Sequence, residues 1–372
     1  MRTVLYRRRI HATVHPFRIV ISVTAERGWG LPIPPLLKYH QESSMHLNWK
    51  IAVADSIQMA LYAVLAPVFL VIYIVQLFLR YLDDSKEVNA KHVLITGATS
   101  GLGEALALKY AKTAATLHLF GRSEEKLKET EAACKNVNRK CNVKTYAVDI
   151  TDSKKFVSMV EKCATEEKID LVIAAAGIIR STSSTPEDQR AYMDECIDVN
   201  VKGVMNTILP FVPKMKEEGK GQLCVIVGAL GNGTFGSDPI YEGSKNCVRV
   251  MLEGMMGPLR RSGVSLTIVS PGYLHTKMTE GKKTFMMLEP SYMADRIFEG
   301  LQRKDSFICD PYPLYLLTAL VRIIPAQVFV SVKEWLAPSR SDKSAWFSCW
   351  THNASSGDEH DAGVSGLTGE GM

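Results

Sequence analysis

The most constraining feature of this chain is the stretch 91–112, KHVLITGATSGLGEALALKYAK. It opens with His92 to Thr96, a short apolar run that contains β-branched Val93 and Ile95, as is typical of a buried parallel strand. Three glycines follow in the spacing Gly-x-x-x-Gly-x-Gly, and the next residues are rich in Ala, Leu and Lys, which predicts a helix. A strand, a glycine turn and a helix direct free backbone N–H groups at a phosphate. The stretch therefore predicts a phosphate-binding turn.

Two motifs identify a family resemblance. The string Thr96-Gly-Ala-Thr-Ser-Gly-Leu-Gly103 resembles the cofactor loop of the short-chain dehydrogenase/reductase superfamily, and Tyr241-Glu-Gly-Ser-Lys245 resembles its Tyr-x-x-x-Lys active-site signature. The landmarks between them occur in the family's order, over roughly residues 91–310. The resemblance implies an α/β fold with a Rossmann-type, doubly wound parallel sheet in a single domain, and an NAD(P)-dependent oxidoreductase.

Apolar runs and amphipathic runs alternate along this region. After His92 to Thr96, six more runs predict strands: Thr116–Phe120, Val143–Val148, Leu171–Ala175, Gln222–Val227, Ser265–Val269 and Phe307–Cys309. A long helix is predicted around Asp198 to Gly203, and another from Tyr241 to Arg261. Strands separated by helices predict a parallel sheet covered on both faces.

Charge and cysteine content exclude several classes of protein. The formal net charge is +5, and residues 1–49 account for all of it with seven basic and two acidic residues. The rest of the chain is balanced, so we expect no nucleic-acid partner. The eight cysteines are scattered without a Cys-x-x-Cys pair, which predicts a reduced domain that faces the cytosol, with no metal site.

The ends of the chain differ from this domain, which we place at 88–310. Residues 1–50 are predicted to be a disordered basic extension. The first 25 residues contain no Asp or Glu, which is also typical of an organelle transit peptide. Residues 51–80 are predicted to form an N-terminal transmembrane helix, because the run from Met59 to Leu79 carries no charge and would span about 30 Å as a helix. The alternative is a buried core helix.

Beyond the domain, residues 311–338 are apolar but interrupted by Arg322, Pro325 and Lys333, which indicates a membrane-associated or lid segment. Residues 339–372 are rich in Ser, Gly and Asp and are predicted to be disordered. Positive charge near the anchor weakly favours a catalytic domain on the cytosolic side. We therefore expect a membrane protein of the endoplasmic reticulum, with a mitochondrial location as the alternative.

The residues after the second predicted strand indicate the cofactor. The family has an acidic residue there for the ribose of NAD, or a basic one for the 2′-phosphate of NADP. This chain has Gly121 and Arg122, so NADP(H) is favoured over NAD. A surface Arg at a helix start is the alternative. The cofactor-binding residues implied by the resemblance are Thr96, Gly97, Thr99, Ser100, Gly101, Leu102, Gly103, Arg122, Asp149, Ile150, Ala176, Gly177, Asn200, Tyr241, Lys245, Pro271, Gly272, Leu274 and Thr276.

The resemblance also implies the catalytic residues Tyr241, Lys245 and Asn200. A phenol has a pKa near 10, so Tyr241 needs help to exchange protons at neutral pH. On a helix Lys245 lies on the same face, four residues on, and is predicted to lower that pKa. In the reductive direction Tyr241 would protonate a carbonyl oxygen, Lys245 would also hold the nicotinamide ribose, and Asn200 would hold a water for proton relay.

Two departures from the family pattern bear on activity. The family's catalytic serine would fall at Gly228, which Ala229 follows, and neither residue has a hydroxyl; Thr234 and Ser237 lie nearby, toward the loop. Losing one such donor costs about 10²–10³ in rate. In addition, Ala174-Ala-Ala-Gly177 stands where the family has Asn-Asn-Ala-Gly, and the usual Asn at the Ala175 position ties the central sheet together.

Two functions are compatible with this pattern. The first is a membrane-anchored, NADP(H)-dependent oxidoreductase that interconverts a ketone and a secondary alcohol on a lipophilic substrate of the lipid, sterol or sphingoid type. The second is a catalytically impaired pseudo-oxidoreductase that acts as a membrane-tethered cofactor-binding or scaffold protein. The resemblance also implies a homo-dimer or a homo-tetramer.

Overall fold

A computed structural model describes residues 8–15, 18–25, 60, 67–68, 71, 74–75, 90–180, 185–228, 238–279 and 287–311. The chain divides into two compact units, Met1–Asp84 and Ser85–Met372. The predicted segments 311–338 and 339–372 lie outside the described residues, apart from Pro311.

The N-terminal unit contains two paired strands in the extension for which the sequence predicts disorder. Strand β1 (Arg8–His15) pairs antiparallel with β2 (Arg18–Ala25) along its full length. Both strands are rich in Ile, Val and Thr, which favour extended backbone. The difference from the prediction arises because strand pairing is a contact between two segments, whereas the prediction rested on composition.

Most of the predicted transmembrane run lies outside the described residues. Six of its positions are described, all helical and exposed, and the four large aliphatic ones among them are about half exposed: Ala60, Pro67, Val68, Val71, Ile74 and Val75. Within the described ranges, no helix combines the length and the apolarity that crossing a membrane requires.

The second unit is built on a seven-stranded sheet in which all neighbouring strands are parallel. Its strands are β3 (His92–Thr96), β4 (Thr116–Gly121), β5 (Asn142–Ala147), β6 (Leu171–Ala174), β7 (Gln222–Ile226), β8 (Ser265–Pro271) and β9 (Phe307–Asp310). Their order across the sheet is β5-β4-β3-β6-β7-β8-β9. The order reverses between β3 and β6, which is where a doubly wound sheet opens a crevice at the carboxyl ends of its strands.

Helices cover both faces of this sheet. They are α1 (Gly101–Ala111), α2 (Glu124–Val137), α3 (Ser153–Glu166), α4 (Pro186–Cys196), α5 (Val204–Ile208), α6 (Val212–Glu217), α7 (Pro239–Arg261) and α8 (Pro290–Gln302). Side chains alternate between the two faces, so Val93 and Ile95 of β3 pack in one apolar cluster and Leu94 packs in the other. The first cluster includes residues of α1, α2 and α8, and the second includes residues of α3, α5 and α7.

The long helix predicted around Asp198 is not a continuous α-helix. Residues Ile197–Gly203 form a π-helical stretch between α4 and α5, and the 3₁₀ turn Leu209–Phe211 separates α5 from α6. Such widened turns frequently occur at functional sites. Gly203 ends this one against Ile150, where an added Cβ would lie 2.7 Å from the Ile150 side chain. The packing of the widened turn against a neighbouring segment was not visible in the helical period of the sequence.

Candidate active site

The glycine turn after β3 has the geometry that a phosphate requires. Gly97 has a φ of +70°, and a Cβ on it would lie 2.8 Å from the Ala176 backbone. A Cβ on Gly103 would lie 2.1 Å from the Gly97 carbonyl oxygen. Ser100 occupies the N-cap position of α1, and its side chain makes no capping hydrogen bond. The start of α1 is therefore free of a side-chain cap, which fits the binding of an anion at its N-terminus.

A cavity of about 300 Å³ opens beside this turn, at the carboxyl ends of the strands. All of the sequence-predicted site residues except Asn200 line it: Thr96, Gly97, Thr99, Ser100, Gly101, Leu102, Gly103, Arg122, Asp149, Ile150, Ala176, Gly177, Tyr241, Lys245, Pro271, Gly272, Leu274 and Thr276. The fold thus brings together segments that are up to 180 residues apart in the sequence. Gly228, where the family's catalytic serine would fall, also lines the cavity, as do Phe120 and Tyr273, which were not among the predicted site residues.

The β4 side of the cavity carries the charged pair Arg122 and Asp149. Gly121 packs against Thr99, because a Cβ on Gly121 would lie 2.5 Å from the Thr99 side chain. Arg122 is exposed at this rim. Burial raises the pKa of Asp149, but hydrogen bonds from the Thr151 amide and hydroxyl and the charge of Arg122 lower it, and the net pKa lies below its ordinary value. The residues present fit a dinucleotide whose phosphate groups need a cation near the adenosine end.

The opposite side is built from the first turn of α7, which begins two residues earlier than predicted. Asp238 is the N-cap: its carboxylate accepts a hydrogen bond from the Tyr241 amide at 3.0 Å and another from the Tyr192 hydroxyl at 2.7 Å. Pro239 follows at the first helical position. An Asp-Pro pair before a helical run is an N-terminus signal that sequence reasoning missed. The Tyr192 contact, 46 residues away, has no such signal.

Tyr241 and Lys245 lie one helical turn apart, as their spacing predicts. The Lys245 Nζ is 5.9 Å from the centroid of the Tyr241 ring and donates to the Ile226 carbonyl at 3.4 Å. Burial raises the pKa of Tyr241, and the charges of Cys196 and Asp238 raise it further. The net pKa of Tyr241 therefore lies above its ordinary value, with burial as the largest cause. A lowering contribution from Lys245 stays a prediction. Burial also lowers the pKa of Lys245 to about 8.

Asn200 lies behind the cavity in the π-helical stretch and is fully buried. Its Oδ1 accepts a hydrogen bond from the Ile178 amide at 2.8 Å, and its Nδ2 donates to the Ile178 carbonyl and to Ser244 Oγ, both at 3.1 Å. Because both side-chain N–H groups are in use, Asn200 clamps the segment after β6 to the start of α7. A role in holding a relay water stays a prediction.

Gly228 lies next to the Tyr241 hydroxyl. A Cβ on Gly228 would be 3.7 Å from the Tyr241 Oη, and its φ of +94° is rarely adopted by residues with a side chain. Its amide donates to the Val269 carbonyl at 3.3 Å, and its carbonyl accepts from Ser270 Oγ at 3.0 Å. Ala229, Thr234 and Ser237 lie outside the described residues.

The alanines that end β6 leave a polar atom on the neighbouring strand unpaired. Thr96 of β3 lies in register with Ala174, and its buried hydroxyl has no hydrogen-bond partner among the described residues. Ala174 and Ala175 cannot supply one through their side chains. The loss of a tie between the central strands stays a prediction.

The sheet is doubly wound and parallel, and the uncapped start of α1 lies where the strand order reverses. A Tyr–Lys pair lies across the cavity from it. These features define an α/β protein with a dinucleotide-binding site. A family model described as short chain dehydrogenase matches residues 91–286. An uncharacterized oxidoreductase of Staphylococcus saprophyticus is 32% identical over 222 residues, which cover 58% of this chain and 93% of the relative. Another, from Staphylococcus aureus strain MW2, is 32% identical over 214 residues, or 57% of this chain and 90% of the relative.

Solved structures show the same fold. A short-chain dehydrogenase from Sphingobium yanoikuyae in complex with NADPH has a TM-score of 0.55 at 22% identity, and the match covers 68% of this chain and 97% of that one. The bulky-bulky ketone specific alcohol dehydrogenase from Comamonas testosteroni has a TM-score of 0.53 at 19% identity, with 68% and 95% covered. The chain belongs to the short-chain dehydrogenase family. It is an oxidoreductase of this type, with a nicotinamide dinucleotide as cofactor.

Proposed function

We propose that this protein is an NADP(H)-dependent oxidoreductase that interconverts a ketone and a secondary alcohol on a lipophilic substrate. The observation that carries the proposal is that Tyr241, Lys245 and Arg122 line one cavity. A general acid, a cation beside it and a phosphate-binding cation at the rim are the groups that NADPH-dependent carbonyl reduction needs. The NADPH complex of the Sphingobium yanoikuyae relative supports this choice of cofactor.

The chemistry divides between the dinucleotide and the protein. When bound, the nicotinamide supplies the hydride that adds to the carbonyl carbon. Tyr241 gives its hydroxyl proton to the carbonyl oxygen, so that one hydride and one proton reduce a ketone to a secondary alcohol. A phenol with a raised pKa stays protonated at neutral pH, so Tyr241 carries the proton that it transfers to the substrate oxygen. Lys245 is held by burial and by its bond to the Ile226 carbonyl, which fixes its ammonium beside the ring.

A lipophilic substrate is supported by the walls of the cavity. Large aliphatic and thioether side chains line it, among them Ile178, Ile179, Leu274 and Met278. Apolar walls favour a ligand with a large hydrocarbon portion. The Comamonas testosteroni relative, a bulky-bulky ketone specific alcohol dehydrogenase, is compatible with a large carbonyl substrate.

Attachment to a membrane is part of the proposal. Its support is the uncharged run from Met59 to Leu79, in which the described Val68, Val71, Ile74 and Val75 are helical and expose their side chains. We propose the endoplasmic reticulum with the catalytic unit toward the cytosol, and mitochondria as the alternative. Alkaline extraction of cell membranes tests the attachment, because release of the full-length chain into the soluble fraction would reject it.

One observation favours the alternative function, a cofactor-binding scaffold without turnover. Gly228 places no hydroxyl beside Tyr241, where the family resemblance implies a serine. One experiment separates the two functions: the purified full-length chain is titrated with NADPH and with NADH by calorimetry, and NADPH oxidation is then followed with long-chain, sterol and sphingoid ketones. Tighter NADPH binding and turnover of a ketone support the oxidoreductase. NADPH binding without turnover of any ketone supports the scaffold.

A further inference from the structure

Reduction of a ketone develops negative charge on one oxygen, and a single donor stabilises it poorly. In this site Tyr241 is one donor. Gly228, its neighbour, offers no side chain, and its amide is already bonded to the Val269 carbonyl. If the proposed function holds, a second hydrogen-bond donor among the described residues has to come from another segment that lines the cavity.

Tyr273 is a residue of the right chemistry in the right place. It lines the same cavity as Tyr241 and Gly228, and it is partly buried. Among the described residues that line the cavity, Tyr241 and Tyr273 are the two that carry a phenol.

The backbone holds Tyr273 in this position from both sides. On one side the Gly272 amide donates to the Asp310 carbonyl of β9 at 2.8 Å. On the other side the Tyr273 carbonyl accepts from the Leu288 amide at 2.9 Å, and the His275 amide donates to the Leu288 carbonyl at 2.9 Å. A side chain on a segment tied at three points is pre-organised, which is what a donor to a transition state requires.

The protonation state of Tyr273 suits a donor. Burial raises its pKa, and the charge of Glu242 raises it further, so that the phenol keeps its proton at neutral pH. A neutral phenol can donate to an oxyanion, whereas a phenolate would repel it. Tyr273 can thus act as a hydrogen-bond donor at neutral pH.

We infer that the Tyr273 hydroxyl donates the second hydrogen bond to the carbonyl oxygen of the substrate, in place of the side chain that Gly228 lacks. Tyr241 transfers its proton to this oxygen, whereas Tyr273 keeps its own proton and stabilises the developing charge. This inference rests on the proposed function. It assigns a substrate-contacting residue on the turn after β8 and explains how the site can work with glycine at position 228.

The test is Tyr273→Phe in the full-length chain, which removes the hydroxyl and keeps the ring. We expect kcat for ketone reduction to fall by about 10²–10³, the cost of one oxyanion donor, with the Kd of NADPH unchanged and KM changed less than kcat. The matched control is Tyr292→Phe, because Tyr292 is exposed and its hydroxyl bonds to Asp310 away from the cavity. Thermal unfolding of both variants verifies folding.

Each outcome of this test has a defined meaning. Equal kcat for Tyr273→Phe and for the unaltered chain would reject Tyr273 as a donor while the proposed function stands. A rise in KM with unchanged kcat would show that the phenol only binds the ground state, which also rejects the inference. If the unaltered chain binds NADPH but reduces no ketone, the proposed function and the inference fail together.

Discussion

The two sides of the cavity are built in different ways. On the β3–β4 side the glycine turn contacts its neighbours through backbone atoms, and Gly97 and Gly103 leave no room for a side chain. On the β7–β8 side the cavity is lined by the side chains of Tyr241, Lys245 and Tyr273, and Gly228 departs from the family pattern there. A phosphate site made of backbone N–H groups depends on the conformation of one turn, so no other residue can replace it. A single hydroxyl donor, in contrast, can come from any segment that reaches the site. The dinucleotide side therefore depends on the path of the backbone, and the substrate side depends on individual side chains.

The largest expected effect is on turnover, and it distinguishes the substrate side of the cavity from the dinucleotide side. Tyr241→Phe should lower kcat by about 10²–10⁴, because it removes the general acid. The Kd of NADPH should rise less than about tenfold, since the lost hydrogen bond of a neutral hydroxyl contributes about 0.5–1.5 kcal/mol. Steady-state kinetics and calorimetry measure the two quantities. A comparable loss of affinity and of turnover would show that the two sides are not independent.

The next effect concerns the dinucleotide side alone. Arg122→Ala should weaken NADPH binding by about 10- to 100-fold, since a charge-assisted hydrogen bond contributes about 1.5–3 kcal/mol, and should leave NADH binding nearly unchanged. The matched control is Lys126→Ala, an exposed cation on α2 that does not line the cavity. Calorimetric titration with both dinucleotides is the measurement. Equal losses for NADPH and NADH would reject the assignment of Arg122 to the 2′-phosphate.

We expect a smaller effect from a substitution outside the cavity that supports the start of α7. Tyr192→Phe removes the 2.7 Å hydrogen bond to Asp238, which caps α7 and holds the Tyr241 amide. Because this bond is buried and its acceptor is a carboxylate, we expect the free energy of unfolding to fall by about 1.5–3 kcal/mol. Kcat should fall as well, with the Kd of NADPH retained. Urea unfolding measures the first quantity; an unchanged midpoint would show that Asp238 holds the helix without Tyr192.

The smallest expected effect is on the free energy of unfolding and concerns Thr96, at the end of β3. Thr96→Val replaces a buried hydroxyl that has no partner with a methyl group of similar volume. Removing an unsatisfied polar group should leave the free energy of unfolding unchanged or raise it by about 1 kcal/mol. Thermal and urea unfolding would show this. A loss of more than about 1 kcal/mol would mean that the Thr96 hydroxyl stabilises the strand ends after all.

Much of the fold could be predicted because its signals are local. The first strand of the sheet, His92 to Thr96, was predicted with the bounds that the structure has. The other strands were predicted within one or two residues of their observed ends. Apolar runs that end in glycine depend on neighbouring residues only, and a parallel sheet follows from their alternation with helices. The π-helical stretch at Ile197–Gly203 was missed because it depends on packing against Ile150.

The site divides in the same way. The sequence by itself determined the glycine turn, the Tyr241 and Lys245 pair and the basic residue at Arg122, because each is a short motif whose backbone conformation or helical spacing is local. Only the tertiary structure decided the direction of the Tyr241 pKa, the Tyr192–Asp238 contact and the place of Tyr273 in the same cavity as Tyr241. The physical reason is that burial and hydrogen bonds between distant segments depend on which surfaces the folded chain removes from water, and no short stretch of sequence contains that information.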